Sequence, residues 1–287
     1  MDAAEITRAR AAAVTIAWDL GLLADDAIVL HNSNKLALRV VPADVFARVS
    51  RIGEEIAEFE IALAQRLVEI GSPIVALDPR VAEAVHVRDG FAITLWTYCA
   101  SVTQEPHEPR AYAAALERLH AGMRTVDIAS IHFTDRVAEA HEILASREKS
   151  PALSDADRAL LLDTLRDATE AIRERGAVEQ LLHGEPHPGN VLATANGLQF
   201  IDLETGCRGP IEFDLAHTPA PIADCYPGVD RALLGECYRL VLAMVAAWRW
   251  DANDQFPDGI AFGERLNEAL RAGPPWPPID AVMNSSR

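Results

Sequence analysis

The stretch His183-Gly184-Glu185-Pro186-His187-Pro188-Gly189-Asn190-Val191-Leu192, with Leu198-Gln199-Phe200-Ile201-Asp202-Leu203-Glu204 after it, decides how the chain is read. Taken singly, its residues read as structure. His183 suits a core histidine bonded to backbone, Asn190 a turn cap and Asp202 the end of a strand. Their joint spacing reverses that judgement: an acid, an amide and a second acid recur at short, fixed intervals. A rival grouping lies in the same residues. His183-x-Glu185-x-His187 puts three metal-ligand types at alternate positions, on one face of a strand, and with Asp202 these could hold zinc or iron. Pro186 and Pro188 argue against an extended, paired strand there. The rival also leaves Asn190 and the segment from Gly209 to Ala216 without a role.

Outward from this stretch the chain changes character near residue 98. Before it, short strand-like runs dominate: Ala27 to Leu30, Leu36 to Val41, Val45 to Val49, and candidates near Ala84 to Val87 and Phe91 to Trp96, with Asp89-Gly90 as a turn. Helical periodicity appears there over residues 5–24 and from Glu54 to Ile70, each stopped by a glycine. After it, helices are expected over 109–124, 134–146, 154–175 and 229–249. The strand-and-loop stretch from Leu181 to Ala216 lies between the last two. A sheet-rich first third and a helix-rich remainder predict an α+β fold of two lobes, 1–98 and 99–287, with a cleft between them. Pro274-Pro275-Trp276-Pro277-Pro278 reads as a surface extension.

Bulk properties exclude several classes. The 287 residues carry a net charge of −17, which repels nucleic acid and anionic membranes. The apolar fraction of 49% suits a sizeable core. The longest strongly apolar run, Leu240 to Trp248, is too short to cross a bilayer, and the first residues show no secretory pattern. Cys99, Cys207, Cys225 and Cys237 form no Cys-x-x-Cys pair, which fits a reduced cytoplasmic setting. No Gly-x-Ser-x-Gly elbow is present, so a serine hydrolase is not indicated.

Phosphoryl transfer asks for one carboxylate to orient the attacking hydroxyl, and for an amide oxygen and a second carboxylate to hold Mg²⁺ on the phosphates. The kinase pattern His-x-Asp-x4-Asn supplies these, and here it reads His183-x-Glu185-x4-Asn190. With Ile201-Asp202-Leu203-Glu204 and Gly209-Pro210-Ile211-Glu212-Phe213-Asp214-Leu215-Ala216 in order behind it, the chain resembles the aminoglycoside phosphotransferase family, sometimes grouped with choline kinases. That resemblance implies a protein-kinase-like fold with a small antiparallel-sheet N-lobe and a larger, mainly helical C-lobe. It implies transfer of the γ-phosphate of ATP or GTP, with Mg²⁺, to a hydroxyl of a small molecule of aminoglycoside, sugar or amino-alcohol type. It places Glu185 as the catalytic carboxylate, Asn190 and Asp202 as metal ligands, and His183, His187 and Asp214 as braces of the catalytic loop. In the first third it places Ser33 and Asn34 in the phosphate-covering hairpin. Arg48 stands where the family has a phosphate-gripping lysine, and Glu60, or else Glu58, is its partner. Thr97 and Cys99 fall at the adenine hinge, and Leu116 to His120 on a packing helix. Glu204 and Glu212 stay open between an approach to metal or substrate and an ion pair.

Two departures stand out. Glu185 for Asp moves a carboxylate by roughly 1.5 Å on a fixed backbone, and a misplacement of about 1 Å can cost on the order of a hundredfold in rate. Arg48 for Lys is longer and forked, and can grip phosphate and carboxylate together. Both keep the sign of the charge. A slow or inactive nucleotide-binding relative is the alternative reading. Asp224, Asp230 and Glu236 permit an aminated acceptor.

Overall fold

The computed structural model describes residues 1–33, 35–52, 56–100 and 107–284. The elements begin with helix α1 (Ala3–Asp19), strands β1 (Ala24–Asn32), β2 (Leu36–Pro42) and β3 (Val45–Arg51), and helix α2 (Ile56–Glu69). Strands β4 (His86–Arg88) and β5 (Phe91–Thr97), helix α3 (Pro109–Met123), strand β6 (Ile131–His132) and helices α4 (Phe133–Ala145) and α5 (Asp155–Glu174) come next. Four short strands follow: β7 (Glu179–Leu182), β8 (Val191–Thr194), β9 (Gly197–Phe200) and β10 (Cys207–Pro210). Helices α6 (Ile211–Leu215), α7 (Ala220–Cys225), α8 (Arg231–Arg249), α9 (Gly259–Ala272) and α10 (Ile279–Asn284) complete the order. The chain forms two compact units, Met1–Glu105 with Leu192–Glu204, and Pro106–Val191 with Thr205–Arg287.

The first unit is built on a five-stranded sheet in the order β1-β2-β3-β5-β4, antiparallel throughout. Side chains alternate across a strand, so β2 buries Leu36, Leu38 and Val40, and β3 buries Val45, Ala47 and Val49. Helix α1 packs on these residues with a stripe at helical spacing, Ala9, Ala12, Ala13, Ile16 and Ala17, whose small side chains let helix and sheet approach closely. Burying each such Leu or Val contributes about 1.5–3 kcal/mol. The helix starts at a capping box: the Asp2 carboxylate accepts from Ala4 N–H (2.9 Å) and Glu5 N–H (2.8 Å), and Glu5 accepts from Asp2 N–H (3.0 Å). With Ala47 and Val49 turned toward α1, the same alternation puts Arg48 on the opposite face of the sheet.

The second unit is mainly helical. A three-stranded sheet, β6-β10-β7, accompanies α3–α10. Helices α3, α4, α5 and α8 each show an apolar stripe, such as Leu233, Leu234, Cys237, Val241 and Met244 on α8. The proline-rich tail is less extended than its composition suggests: Trp276 is half-buried, with the Arg239 guanidinium 5.5 Å from its ring. Among the described residues no helix is long and apolar enough to cross a membrane.

Candidate active site

In the first unit, Arg48 carries a fork that two elements answer. Its Nη1 donates to Glu60 Oε1 on α2 at 2.8 Å, and its Nη2 to Asp202 Oδ1 at 2.6 Å. Glu204 Oε2 stands 3.2 Å from the same Nη2 and also pairs with Lys35. Glu60 Oε1 accepts a further bond from Leu203 N–H at 3.1 Å, so this one carboxylate ties the residue after Asp202 to the helix. Glu58 is exposed, and Glu60 is the acid that meets Arg48. Asp202 follows β9 with φ +67°, a left-handed conformation that short polar side chains tolerate best.

Three carboxylates (Glu60, Asp202, Glu204) thus face two cations (Arg48, Lys35). Burial pushes the Glu60 carboxyl up; Arg48 opposes this, Asp202 and Glu204 add to it, and the group comes to about 7. Burial works against the charge of Arg48, but Glu60, Asp202 and Glu204 outweigh it and raise its pKa. Of the hairpin and hinge residues, the Ser33 N–H donates to Lys35 O at 3.1 Å, and the Thr97 N–H to Ala76 O at 2.9 Å. Cys99 is half-buried, and burial raises its thiol pKa. Asn34 lies outside the described residues.

In the second unit the loop after β7 is held from beneath by Asp214 on α6. Its carboxylate accepts from His183 N–H (2.9 Å), Gly184 N–H (2.8 Å) and His120 Nε2 (2.9 Å), and His120 Nδ1 meets the Tyr226 hydroxyl at 2.8 Å. Burial would raise the Asp214 pKa, but the His120 bond, nearby His183 and the Gly184 N–H overcome it and hold the carboxyl below its ordinary value. Gly184 has φ +92°, and a Cβ there would lie 2.0 Å from Thr205 O, so the loop closes only with glycine. His187 caps the short 3₁₀ turn Pro188–Asn190, accepting from Gly189 N–H at 3.0 Å.

Asn190 is buried and donates from Nδ2 to Glu185 O at 3.0 Å. This fixes the amide and turns Oδ1 away as an acceptor with no protein donor among the described residues. The oxygens of Asn190 and Asp202 are hard donors of the kind Mg²⁺ takes. The rival set finds no such support: His183 Nδ1 and His187 Nδ1 accept backbone N–H bonds, from Glu185 (3.4 Å) and Gly189. Among the described residues, no three or more His, Cys, Asp or Glu gather where they could hold a metal.

The Glu185 carboxylate pairs with Arg136 of α4, whose Nη1 donates to Gly184 O at 2.9 Å. Burial would raise the Glu185 pKa, but Arg136 above all brings it below its ordinary value. Burial pushes His217 down to about 4, so its imidazole is neutral at pH 7. The sequence did not single out Arg136. Its one signal is a charged residue inside the stripe Phe133, Arg136, Val137, Ala140, Leu144 that α4 buries. Glu212 proves to be buried, accepting from Asp230 N–H at 3.0 Å. Of the three acids that permitted an aminated acceptor, Asp224 pairs with Arg231 (2.6 Å) and Asp230 with Arg175 (3.3 Å) and the start of α8, while Glu236 stands 3.6 Å from Arg239 with its Oε2 making no hydrogen bond among the described residues.

The model of a phosphotransferase enzyme family, APH, matches residues 29–236. A methylthioribose kinase of Klebsiella pneumoniae subsp. pneumoniae is 34% identical over 114 residues, which are 38% of this chain and 27% of the relative. The chain therefore matches about a quarter of the length of that curated relative. Among solved structures, the amicoumacin kinase hAmiN in complex with AMP-PNP, Ca²⁺ and Ami superposes with a TM-score of 0.72 at 11% identity, covering 98% of this chain and 100% of that one. The choline kinase LicA from Streptococcus pneumoniae gives 0.67 at 13% identity, covering 90% and 98%. The fold is α+β and protein-kinase-like.

Proposed function

Because the chain belongs to the phosphotransferase enzyme family, we propose that it transfers the γ-phosphate of ATP or GTP to a hydroxyl of a small molecule. The observation that carries this is the forked Arg48, bridging buried Glu60 and left-handed Asp202 beside an excess of carboxylate. In this reading Arg48 grips phosphate oxygens and Glu60 holds it in place. The N–H groups of the hairpin around Ser33 and Asn34 cover the phosphates, and the segment from Thr97 to Cys99 receives the base. Asp202 and Asn190 are the oxygen ligands of Mg²⁺, which, when bound, neutralises charge on the phosphates. Glu185 orients the acceptor hydroxyl and takes its proton, on a loop kept in shape by His183, His187 and Asp214. Positioning and charge neutralisation supply most of the rate.

The acceptor belongs to the sugar, aminoglycoside or amino-alcohol type. The match to a methylthioribose kinase puts sugars first, and the ion pairs of Asp224 and Asp230 weaken the case for a polycation. A second reading is a nucleotide-binding protein with slow or no transfer. It draws on the substitution of Glu185 for Asp and on its commitment to Arg136.

A panel of sugars, amino-sugars and amino alcohols, assayed for acceptor-dependent ADP or GDP release with Mg²⁺, tests the proposal. Asp202→Asn, which keeps a side chain suited to the left-handed backbone, should lower kcat on the order of 10³-fold, the scale of losing one preorganised charge contact. Circular dichroism should be unchanged. Full activity in that variant refutes the metal assignment. Tight nucleotide binding with no transfer to any acceptor supports the second reading.

A further inference from the structure

Arg136 is 4% exposed, and a guanidinium at that depth is tolerated only when its donors are used. Nη2 pairs with Glu185 Oε1 and Nη1 donates to Gly184 O at 2.9 Å. The guanidinium carbon lies 5.3 Å from the Trp248 ring and 6.0 Å from that of Phe213. One rigid, planar group therefore holds both the carboxylate at 185 and the carbonyl just before it. Glu139 lies near Arg136 on the same helix. His217, His187, Cys207 and, from the end of α8, Arg249 also surround Glu185 electrostatically. Among the described residues, none of them donates a hydrogen bond to its carboxylate, which leaves Oε2 free to accept one.

A glutamate has one more rotatable bond than an aspartate, so its carboxylate is less well located unless something fixes it. We propose that Arg136 is the positioning residue for the acceptor hydroxyl's carboxylate: the Arg136–Glu185 pair, rather than Glu185 by itself, sets where that hydroxyl is held. The pair answers the extra methylene, since the arm of Arg136 fixes the end of the longer acid. This rests on the phosphotransfer reading, in which Glu185 meets the acceptor.

The test combines steady-state kinetics with a readout that needs no turnover. Arg136→Met should lower kcat on the order of 10²-fold, with the nucleotide KM unchanged because Arg48 and Glu60 are untouched. Arg136→Lys should recover part of the loss through its single ammonium. Glu185→Asp should also lose activity, since the shorter acid cannot both reach Arg136 and keep its place. The double variant R136M/E185D should be no worse than the poorer single variant. Without turnover, the ¹³C carboxyl resonance of Glu185, assigned with Glu185→Gln, should move in Arg136→Met and in Arg136→Lys. Wild-type kcat in Arg136→Met, strictly additive losses in the double variant, or an unmoved resonance would each overturn the proposal. A wild-type protein that binds no nucleotide sinks the phosphotransfer reading, and the carboxyl resonance then decides the pairing on its own.

Discussion

Arg48 and Arg136 are both drawn to carboxylates, one in each compact unit, yet their settings differ. Arg48 answers Glu60 and Asp202 and has Glu204 at 3.2 Å, with Lys35 as the only other cation there among the described residues. Negative charge is in excess, and burial, with Asp202 and Glu204 adding to it, pushes Glu60 toward neutrality. Such a cluster is improved by an added cation. Arg136 meets one carboxylate and one carbonyl between two aromatic rings, beside a neutral His217. That arrangement has one cation for one carboxylate, leaves Glu185 Oε2 open to a donor, and holds the acid in place rather than taking up charge. The contrast separates a place built to take up charge from a place built to hold geometry.

The side that holds geometry can be probed most strongly at Asp214. Asp214→Asn replaces an acceptor of three buried donors with a neutral amide and should cost about 1.5–3 kcal/mol in chemical denaturation, the range for hydrogen bonds to a charged group. Its pH dependence has a definite sign. The folded pKa of Asp214 is depressed, so its contribution is fully present above the unfolded value and is lost as pH falls through the folded one. The variant should show a flatter acid limb than the wild type. A smaller effect belongs to the charge-rich side. Arg48→Lys keeps the charge but cannot donate to Glu60 and Asp202 from one planar fork, and nucleotide affinity should fall about tenfold, or about 1.4 kcal/mol, by titration calorimetry. An unchanged affinity would mean that the fork is incidental. The smallest effect lies outside both. Asp224 and Arg231 form an exposed pair, and Asp224→Asn should shift stability by no more than about 0.5 kcal/mol in the same denaturation experiment.

What could be read from sequence follows the same division between regular and irregular environments. Strands β2 and β3 announced themselves through alternation, β5 through an apolar run buried on both faces and β1 through a short strand-like run, and all four fall on the runs read from sequence. Helix α9 did not, because Gly259, Gly263 and Asn267 sit among Phe262, Leu266 and Leu270 on its buried face and blur the apolar period. Strand β6 has two residues, too few for any pattern. Spacing singled out residues 185, 190 and 202, which lie on one loop and at the end of the hairpin that follows it in sequence. Arg136 and His120 reach their acids from helices far away in the chain, with |i−j| of 49 and 94, and periodicity counts each only as a flaw in an apolar stripe. For Arg136 the unused clue was a charged residue where a helix expects an apolar one, whereas His120 reads from sequence only as part of a packing helix, without its bond to Asp214.

The fit at Gly184 bears on how this loop could be re-engineered. With Thr205 O 2.0 Å from the place a Cβ would take, position 184 admits no alternative letter. Chemical diversity next to the carboxylate must enter at 185 or from the helices that face it. A library that frees 136, 185 and 217 together explores the space this backbone leaves open, whereas one that scans the loop residue by residue spends its variants on a closed door.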